Sequence, residues 1–290
     1  MARKTVYVGG KRVRLDPAKM LGQGGEAEVY GISKGRALKL FKGPEHPEYA
    51  GCTEAQVAAK HRLDLIQRKL PVFPRGLPDV VIKPQELATD RQGTTILGFT
   101  MARIDHAQPL HSYTTKAIRK QGVGDHQVTQ LLLRLHAAIV EVHASGAVVG
   151  DLNDLNVLVR QQAIALIDAD SFQFSGYPCP VVTQRFLDPC RCQLQEGEWV
   201  PTSPASVSSD WYAFAVMVMQ CLLWVGPYGG IYRPKDPSRR VPASLRPSRR
   251  LTVFSPEVRY PRPARHWDVL PTQLQDTFRT WFVDDQRGVF

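Results

Sequence analysis

No unbroken apolar run of membrane-spanning length occurs in these 290 residues, although 43% of them are hydrophobic. The apolar stretch around Val216, extended by Leu222 to Val225, is interrupted at Gln220 and ended by Pro227, whereas a span needs roughly 20 consecutive apolar residues. A membrane partner is therefore not expected. The basic start from Met1 to Lys4 runs into Val-Tyr-Val and Gly-Gly rather than an apolar segment, so no secretory leader is expected and the cytoplasm is the default compartment. Cysteine is sparse and odd in number (Cys52, Cys179, Cys190, Cys192, Cys221), which argues against a disulfide framework. Cys179, Cys190 and Cys192 lack a nearby His or a C-x-x-C pair, which disfavours zinc. There is no internal repeat.

Positive charge is in excess, at a formal +10. It concentrates in Arg233 to Arg250, a Pro- and Ser-rich stretch with seven Lys or Arg against one Asp. Its aromatics end at Tyr232, so no stacking platform is interleaved with the charge, and nucleic acid is a disfavoured partner. A solvated loop that attracts an acidic partner is the expectation. The length fits one large domain or two lobes.

The richest stretch runs from Val148 to Asp170. Two short apolar strands, Val157 to Val159 and Ile164 to Ile167, flank a polar turn at Arg160 to Gln162, which predicts an antiparallel hairpin. Asp151, Asn153, Asp154 and Asn156 precede the first strand; Asp168 and Asp170 follow the second. The hairpin predicts that Asp151, Asn156 and Asp168 come to one end of the small sheet. Any one of these residues is equally explained as a turn-forming Asx. As a set they are hard oxygen donors, which suit magnesium, an ion that takes one or two carboxylates plus substrate phosphates.

The spacing of this set, Asp151 to Asn156 and then Asp168, resembles the catalytic and metal-binding loops of protein kinases, and the resemblance continues in order along the chain. Leu21 to Tyr30, with Gly22, Gly24, Gly25, Ala27 and Val29, is similar to the glycine-rich loop that covers ATP phosphates, where side chains would hold the backbone off. Ala37-Leu38-Lys39, on the alternating strand Arg36 to Phe41, matches the A-x-K pattern of the phosphate-gripping lysine. The helical stretch Thr53 to Leu70 would supply that lysine's glutamate, and Glu54 is its acidic candidate, although a Glu there also compensates the helix dipole. Strands are expected at Asp79 to Lys83 and Thr94 to Ala102 around the turn Asp90 to Gly93. Thr100 to Arg103 resembles the hinge, with adenine held by backbone near Met101 and Ala102, and with Phe99 or Thr100 guarding the pocket. Val6 to Val8 and Lys11 to Leu15 predict a hairpin over Gly9-Gly10.

Val128 to Ser145 is a strongly amphipathic helix on which His136 and His143 are expected as satisfied packing residues. Ser171 to Ser209 has no regular pattern, which fits an activation or substrate-docking segment. Asp210 opens an apolar helix and resembles the kinase Asp that braces the catalytic-loop backbone, unless it merely caps the helix beside Ser208 and Ser209. Another helix is expected at about Thr272 to Val283, followed by Arg287, which resembles a structural kinase arginine. The chain stops short of the usual final helix, as a truncated chain or compact variant would.

The departures are specific. Val149-Gly150 replaces the usual His-Arg, which makes loop phosphorylation a poor on-switch. Asn153 stands where Ser/Thr kinases place a Lys, and Asp168-Ala169-Asp170 replaces Asp-Phe-Gly. Ala-Pro-Glu survives only as Asp188-Pro189-Cys190, which leaves Arg287 without its expected Glu. The I-D-A-D-S-F and G-P-Y-G-G patterns resemble an atypical bacterial Ser/Thr kinase group, often encoded beside von Willebrand factor A and PP2C-type phosphatase proteins.

The resemblance implies an α+β, two-lobed fold. Residues 1–102 would form a lobe of antiparallel sheet plus one helix, and residues 103–290 a mainly helical lobe. It implies Mg2+-dependent transfer of the ATP γ-phosphoryl group to a protein Ser or Thr. Lys39 would orient phosphates, Asp151 with Asn153 beside it would serve catalysis, and Asn156, Asp168 and Asp170 would hold metal. A pseudokinase scaffold and a small-molecule kinase are the alternatives.

Overall fold

In the computed structural model of the chain, Gly9 and Gly10 adopt left-handed φ of +55° and +74° and join β1 (Thr5–Val8) to β2 (Lys11–Arg14). That conformation is open to glycine without penalty and gives the tight turn of a two-residue hairpin. The structure describes residues 4–195 and 198–290; Met1 to Arg3 of the basic start lie outside the described residues. The chain divides into two compact units, one running to Ala107 and including Ile167–Asp170, the other made of Gln108–Leu166 and Ser171–Phe290.

The first unit is a seven-stranded antiparallel sheet in the order β2-β1-β6-β7-β5-β4-β3, completed by β3 (Met20–Gln23), β4 (Ala27–Ser33), β5 (Arg36–Phe41), β6 (Leu87–Thr89) and β7 (Ile96–Ala102). Helix α1 (Thr53–Lys69) contributes Ile66 to a cluster with Ala27, Phe41, Ile96 and Phe99. A separate cluster gathers Val6, Val8, Leu15, Tyr30, Leu38, Leu40 and Ala88. The strand β5 feeds both clusters, which is why its residues from Ala37 to Phe41 are all buried. Gly98 on β7 faces Leu40, and a Cβ there would stand 2.1 Å from the Lys39 carbonyl oxygen, so only glycine allows the two strands to meet.

The strand expected at residues 79–83 is not formed; β6 lies at Leu87–Thr89 instead. Pro78 and Pro84 bracket the expected stretch, and proline cannot donate to a ladder. The turn at residues 90–93 is as expected: Asp90 Oδ1 accepts from the backbone N–H groups of Thr94 (2.9 Å) and Thr95 (3.2 Å).

In the second unit the hairpin of β9 (Val157–Arg160) and β10 (Ala163–Leu166) pairs with β8 (Gln108–Pro109). Its helices are α2 (Lys116–Lys120), α3 (Asp125–Ala144), α4 (Val207–Leu223) and α5 (Thr272–Phe282). Helix α4 is buried along nearly its whole length. It starts three residues before Asp210, and its cap is Ser206, which exchanges hydrogen bonds with Ser209. The stretch 171–209 is not patternless. It holds single helical turns at Gln184–Phe186 and Pro189–Arg191 and a hairpin of β11 (Cys192–Gln195) with β12 (Glu198–Pro201). A small ladder joins β13 (Ile231–Tyr232) to β14 (Val258–Arg259). No described helix is long and apolar enough to cross a membrane.

Candidate active site

Lys39 sits mid-strand on β5, opposite Phe99 of β7, and is 9% exposed. Its Nζ donates to Asp168 Oδ1 (3.0 Å) and to both oxygens of Asp170, Oδ1 at 2.8 Å and Oδ2 at 3.0 Å. Burial alone would lower the ammonium pKa; the two carboxylates, Asp170 ahead of Asp168, outweigh it and hold the group above its ordinary range. Lys39 is therefore a fixed cation. Asp168 adopts left-handed φ (+59°), unusual for a residue with a side chain, and remains 46% exposed at that side chain.

Glu54 does not play the part expected of it. It lies in the first turn of α1, exposed, and among the described residues no ion pair joins it to Lys39. Asp170, expected among the metal ligands, instead directs both oxygens at the lysine.

The glycine-rich loop is tied down by residues that no sequence pattern singled out. Lys42, 2% exposed, donates from Nζ to the Gly24 carbonyl at 2.6 Å. The Tyr49 hydroxyl donates to the Gly25 carbonyl, and Arg62 of α1 donates to that hydroxyl and to Glu26 Oε1, each at 3.0 Å. Ala27 and Val29 continue into β4, where Val29 pairs with Lys39 and Ala27 with Phe41. A Cβ added at Gly22, Gly24 or Gly25 would meet no described atom within 4 Å, and none of the three has left-handed φ. Neither packing within the chain nor turn geometry accounts for these glycines.

At the end of the sheet, Met101 pairs with Ala37 and Ala102 with Arg36. Thr100 is fully buried, its Oγ1 accepting from Arg36 Nη2 (3.1 Å) and the Glu86 N–H (3.2 Å). Phe99 packs on Phe41 with ring centroids 5.9 Å apart.

The second unit builds its constellation on the loop before β9. Asn153 Nδ2 donates to Asp151 Oδ2 at 3.0 Å, and Asn156 Nδ2 lies 3.3 Å from the same oxygen; both amides also reach the Asp151 carbonyl. Asn153 Oδ1 accepts from the Leu155 and Asn156 N–H groups, an Asx turn that curls the loop. Its Nδ2 also stands 3.1 Å from Thr183 Oγ1. Asp154, fully buried, pairs with Arg185 (2.9 Å) and His111 (2.7 Å). Thr183 and Arg185 thus fasten the 171–209 stretch to this loop, through contacts some 30 residues apart that no local pattern announces.

Asp210 braces the loop from below, accepting from the Val149 N–H (2.8 Å) and the Gly150 N–H (2.9 Å), with His143 Nε2 at 2.9 Å. His143 is therefore a satisfied packing residue, and so is His136, whose Nε2 lies 2.9 Å from the Phe290 carbonyl oxygen and whose ring packs tilted against Trp211 at 4.8 Å. Arg287 is not left without a carboxylate. Its guanidinium forks onto Asp188, Nε to Oδ2 at 2.9 Å and Nη2 to Oδ1 at 2.8 Å, so an aspartate fills the place the missing Glu would take.

Among the described residues no three His, Cys, Asp or Glu side chains converge as a preformed metal centre. Asp168 in the first unit and Asn156 in the second each offer an oxygen donor, the ligand type that magnesium takes together with water and phosphate.

No protein-family profile matches the chain. Two curated relatives, protein kinase YegI from Escherichia coli O157:H7 and from Escherichia coli strain K12, are each 26% identical, over 229 and 223 residues. The alignments cover 75% and 73% of this chain but 33% and 32% of the relatives, so the chain spans about a third of their length. The solved structure of the Cydia pomonella granulovirus kinase PK-1 matches with a TM-score of 0.53 at 15% identity, over 91% of this chain and 85% of that one. With its antiparallel-sheet unit and helical unit, the chain has an α+β protein-kinase-like fold.

Proposed function

We propose that this chain is an ATP-dependent protein Ser/Thr kinase that transfers the γ-phosphoryl group of Mg·ATP to a protein hydroxyl. The observation that carries the reading is Lys39, a buried cation on β5 held to the Asp168–Asp170 segment. The otherwise unexplained Gly22, Gly24 and Gly25 support it, because close approach to phosphates accounts for glycines that neither packing nor turn geometry requires. In this reading Lys39 binds the α- and β-phosphates, and backbone at Met101 and Ala102 holds adenine. Asp151 accepts the acceptor hydroxyl's proton, with Asn153 orienting its carboxylate. Asn156 and Asp168 hold magnesium, which when bound neutralises charge on the phosphates. The acceptor class is a protein hydroxyl of a cytoplasmic partner. A von Willebrand factor A-type or phosphatase protein is the partner drawn from the resemblance to the atypical bacterial group.

The test is γ-phosphate incorporation into the chain or an added protein. Asp151→Asn is expected to lower it by roughly 100-fold or more; incorporation equal to the parent contradicts the assigned role.

One observation favours a second reading, a scaffold that does not catalyse. Three carboxylate oxygens already surround the Lys39 ammonium, as many as it has donors, so phosphate must displace one of them. A melting temperature that does not move with saturating Mg·ATP supports the scaffold, since a ligand bound only by the folded state raises stability.

A further inference from the structure

We infer that Asp170, rather than an acidic residue of α1, is the residue that positions Lys39, and that α1 acts on the glycine-rich loop instead. The inference rests on the proposed role of Lys39 toward nucleotide, and it deepens that role by naming what fixes the lysine.

The two carboxylates on Lys39 are not equivalent. Asp170 is 11% exposed at its side chain and places both oxygens on Nζ, whereas Asp168 is 46% exposed and gives Nζ one oxygen. When phosphate or metal competes, the half-exposed carboxylate that gives Nζ one oxygen is the one that yields the lysine, and the buried two-oxygen partner stays. Helix α1 offers no rival. Its two acidic residues, Glu54 and Asp64, are both exposed. What it turns toward the sheet is Arg62, bonded to Glu26 and to the Tyr49 hydroxyl that holds the Gly25 carbonyl. Gln67 completes the attachment, exchanging two 2.8 Å hydrogen bonds with the Ile96 backbone of β7.

Helix α1 is thus fastened to the loop and the sheet, while the lysine's partner lies two residues beyond Asp168. A shift of α1 would then loosen the glycine-rich loop without disarming Lys39. Disarming Lys39 requires movement of the Asp168–Asp170 segment itself.

The test is a double-mutant cycle on thermal unfolding of the full chain without nucleotide. Lys39→Met and Asp170→Asn are each expected to lower the melting temperature by roughly 5 °C or more, and the double variant to lose clearly less than their sum. Glu54→Gln should change it little and add to Lys39→Met without coupling. Additivity between positions 39 and 170, or coupling between 39 and 54, overturns the inference. If Lys39→Met does not fold, Lys39→Gln, which also removes the cation, replaces it in the same cycle.

A second arm measures ATP affinity in EDTA, which removes any contribution of Asp170 as a metal ligand. Asp170→Asn should weaken binding about tenfold, as Lys39→Met does, and the double variant should be no weaker than Lys39→Met alone. A loss seen only when magnesium is present overturns the positioning role. A parent that binds no ATP even with magnesium present, while the unfolding cycle still couples, overturns the kinase reading and leaves the Lys39–Asp170 pair supported.

Discussion

Gly150 occupies the place where the kinase pattern has arginine, and the structure gives a steric reason. Its φ is +80°, and a Cβ there would stand 2.5 Å from the Cys179 Cβ. Gly150→Arg is therefore expected to destabilise the chain by about 2–4 kcal/mol, read by chemical denaturation, rather than to restore a phosphate-sensing loop. Glu28 gives the fold a pH-dependent stabilisation. Burial raises its pKa, but hydrogen bonds from Lys4 (2.5 Å), Tyr30 (2.9 Å) and His46 (3.2 Å) outweigh that and set it below the ordinary 4.5. With the folded value depressed, the ionised form is favoured by folding. That stabilisation is complete above pH 4.5 and disappears as pH falls through the lower folded value. Glu28→Gln should accordingly lower the melting temperature at pH 7, with the difference from the parent shrinking as pH falls below 4.5 and through the lower folded value; a difference independent of pH contradicts it. The strand that carries Lys39 was legible in sequence because its apolar residues follow a glycine-rich turn at a set distance. The lysine's partnership with Asp170, 131 residues away, was not, since a sequence names acidic residues without saying which one the fold brings to a buried ammonium.

Elements with strong periodicity read well. The apolar stripe of α3 and the continuous apolar run of α4 fixed both helices to within a few residues. Errors fell where proline or turn residues broke the pattern, as at residues 79–83 and 171–209. Asp210 shows how an element serves the loop above it. From the first turns of α4 its carboxylate satisfies two backbone donors of the loop before Asp151, and it is 1% exposed. Asp210→Ala should cost about 3–5 kcal/mol by leaving those buried N–H groups unpaired. The same variant should lose phosphoryl transfer out of proportion to nucleotide affinity, because the distortion falls at Asp151. Equal stability of variant and parent contradicts the brace.

For the whole molecule, two expectations shift. The 171–209 stretch is anchored by the Asp188–Arg287 fork, in which the carboxylate side chain is 2% exposed. Arg287→Ala should destabilise by about 3–5 kcal/mol because it strands a buried charge, and urea unfolding measures it. The basic stretch 233–250 is less available to an acidic partner than its composition suggests. Arg239 pairs with Glu257, Arg250 with Asp285, and Arg246 donates to the Gly230 carbonyl at 2.8 Å. Likeness to a kinase of known structure at 15% identity carries the fold, and the chain covers about a third of the YegI kinases, so chemistry must be measured on this chain itself. The most direct measurement is calorimetric titration of a non-hydrolysable ATP analogue with magnesium into the parent and Lys39→Met. One saturable site is expected in the parent, weakened at least tenfold in the variant. No saturable binding in the parent, or equal binding in both, would contradict it.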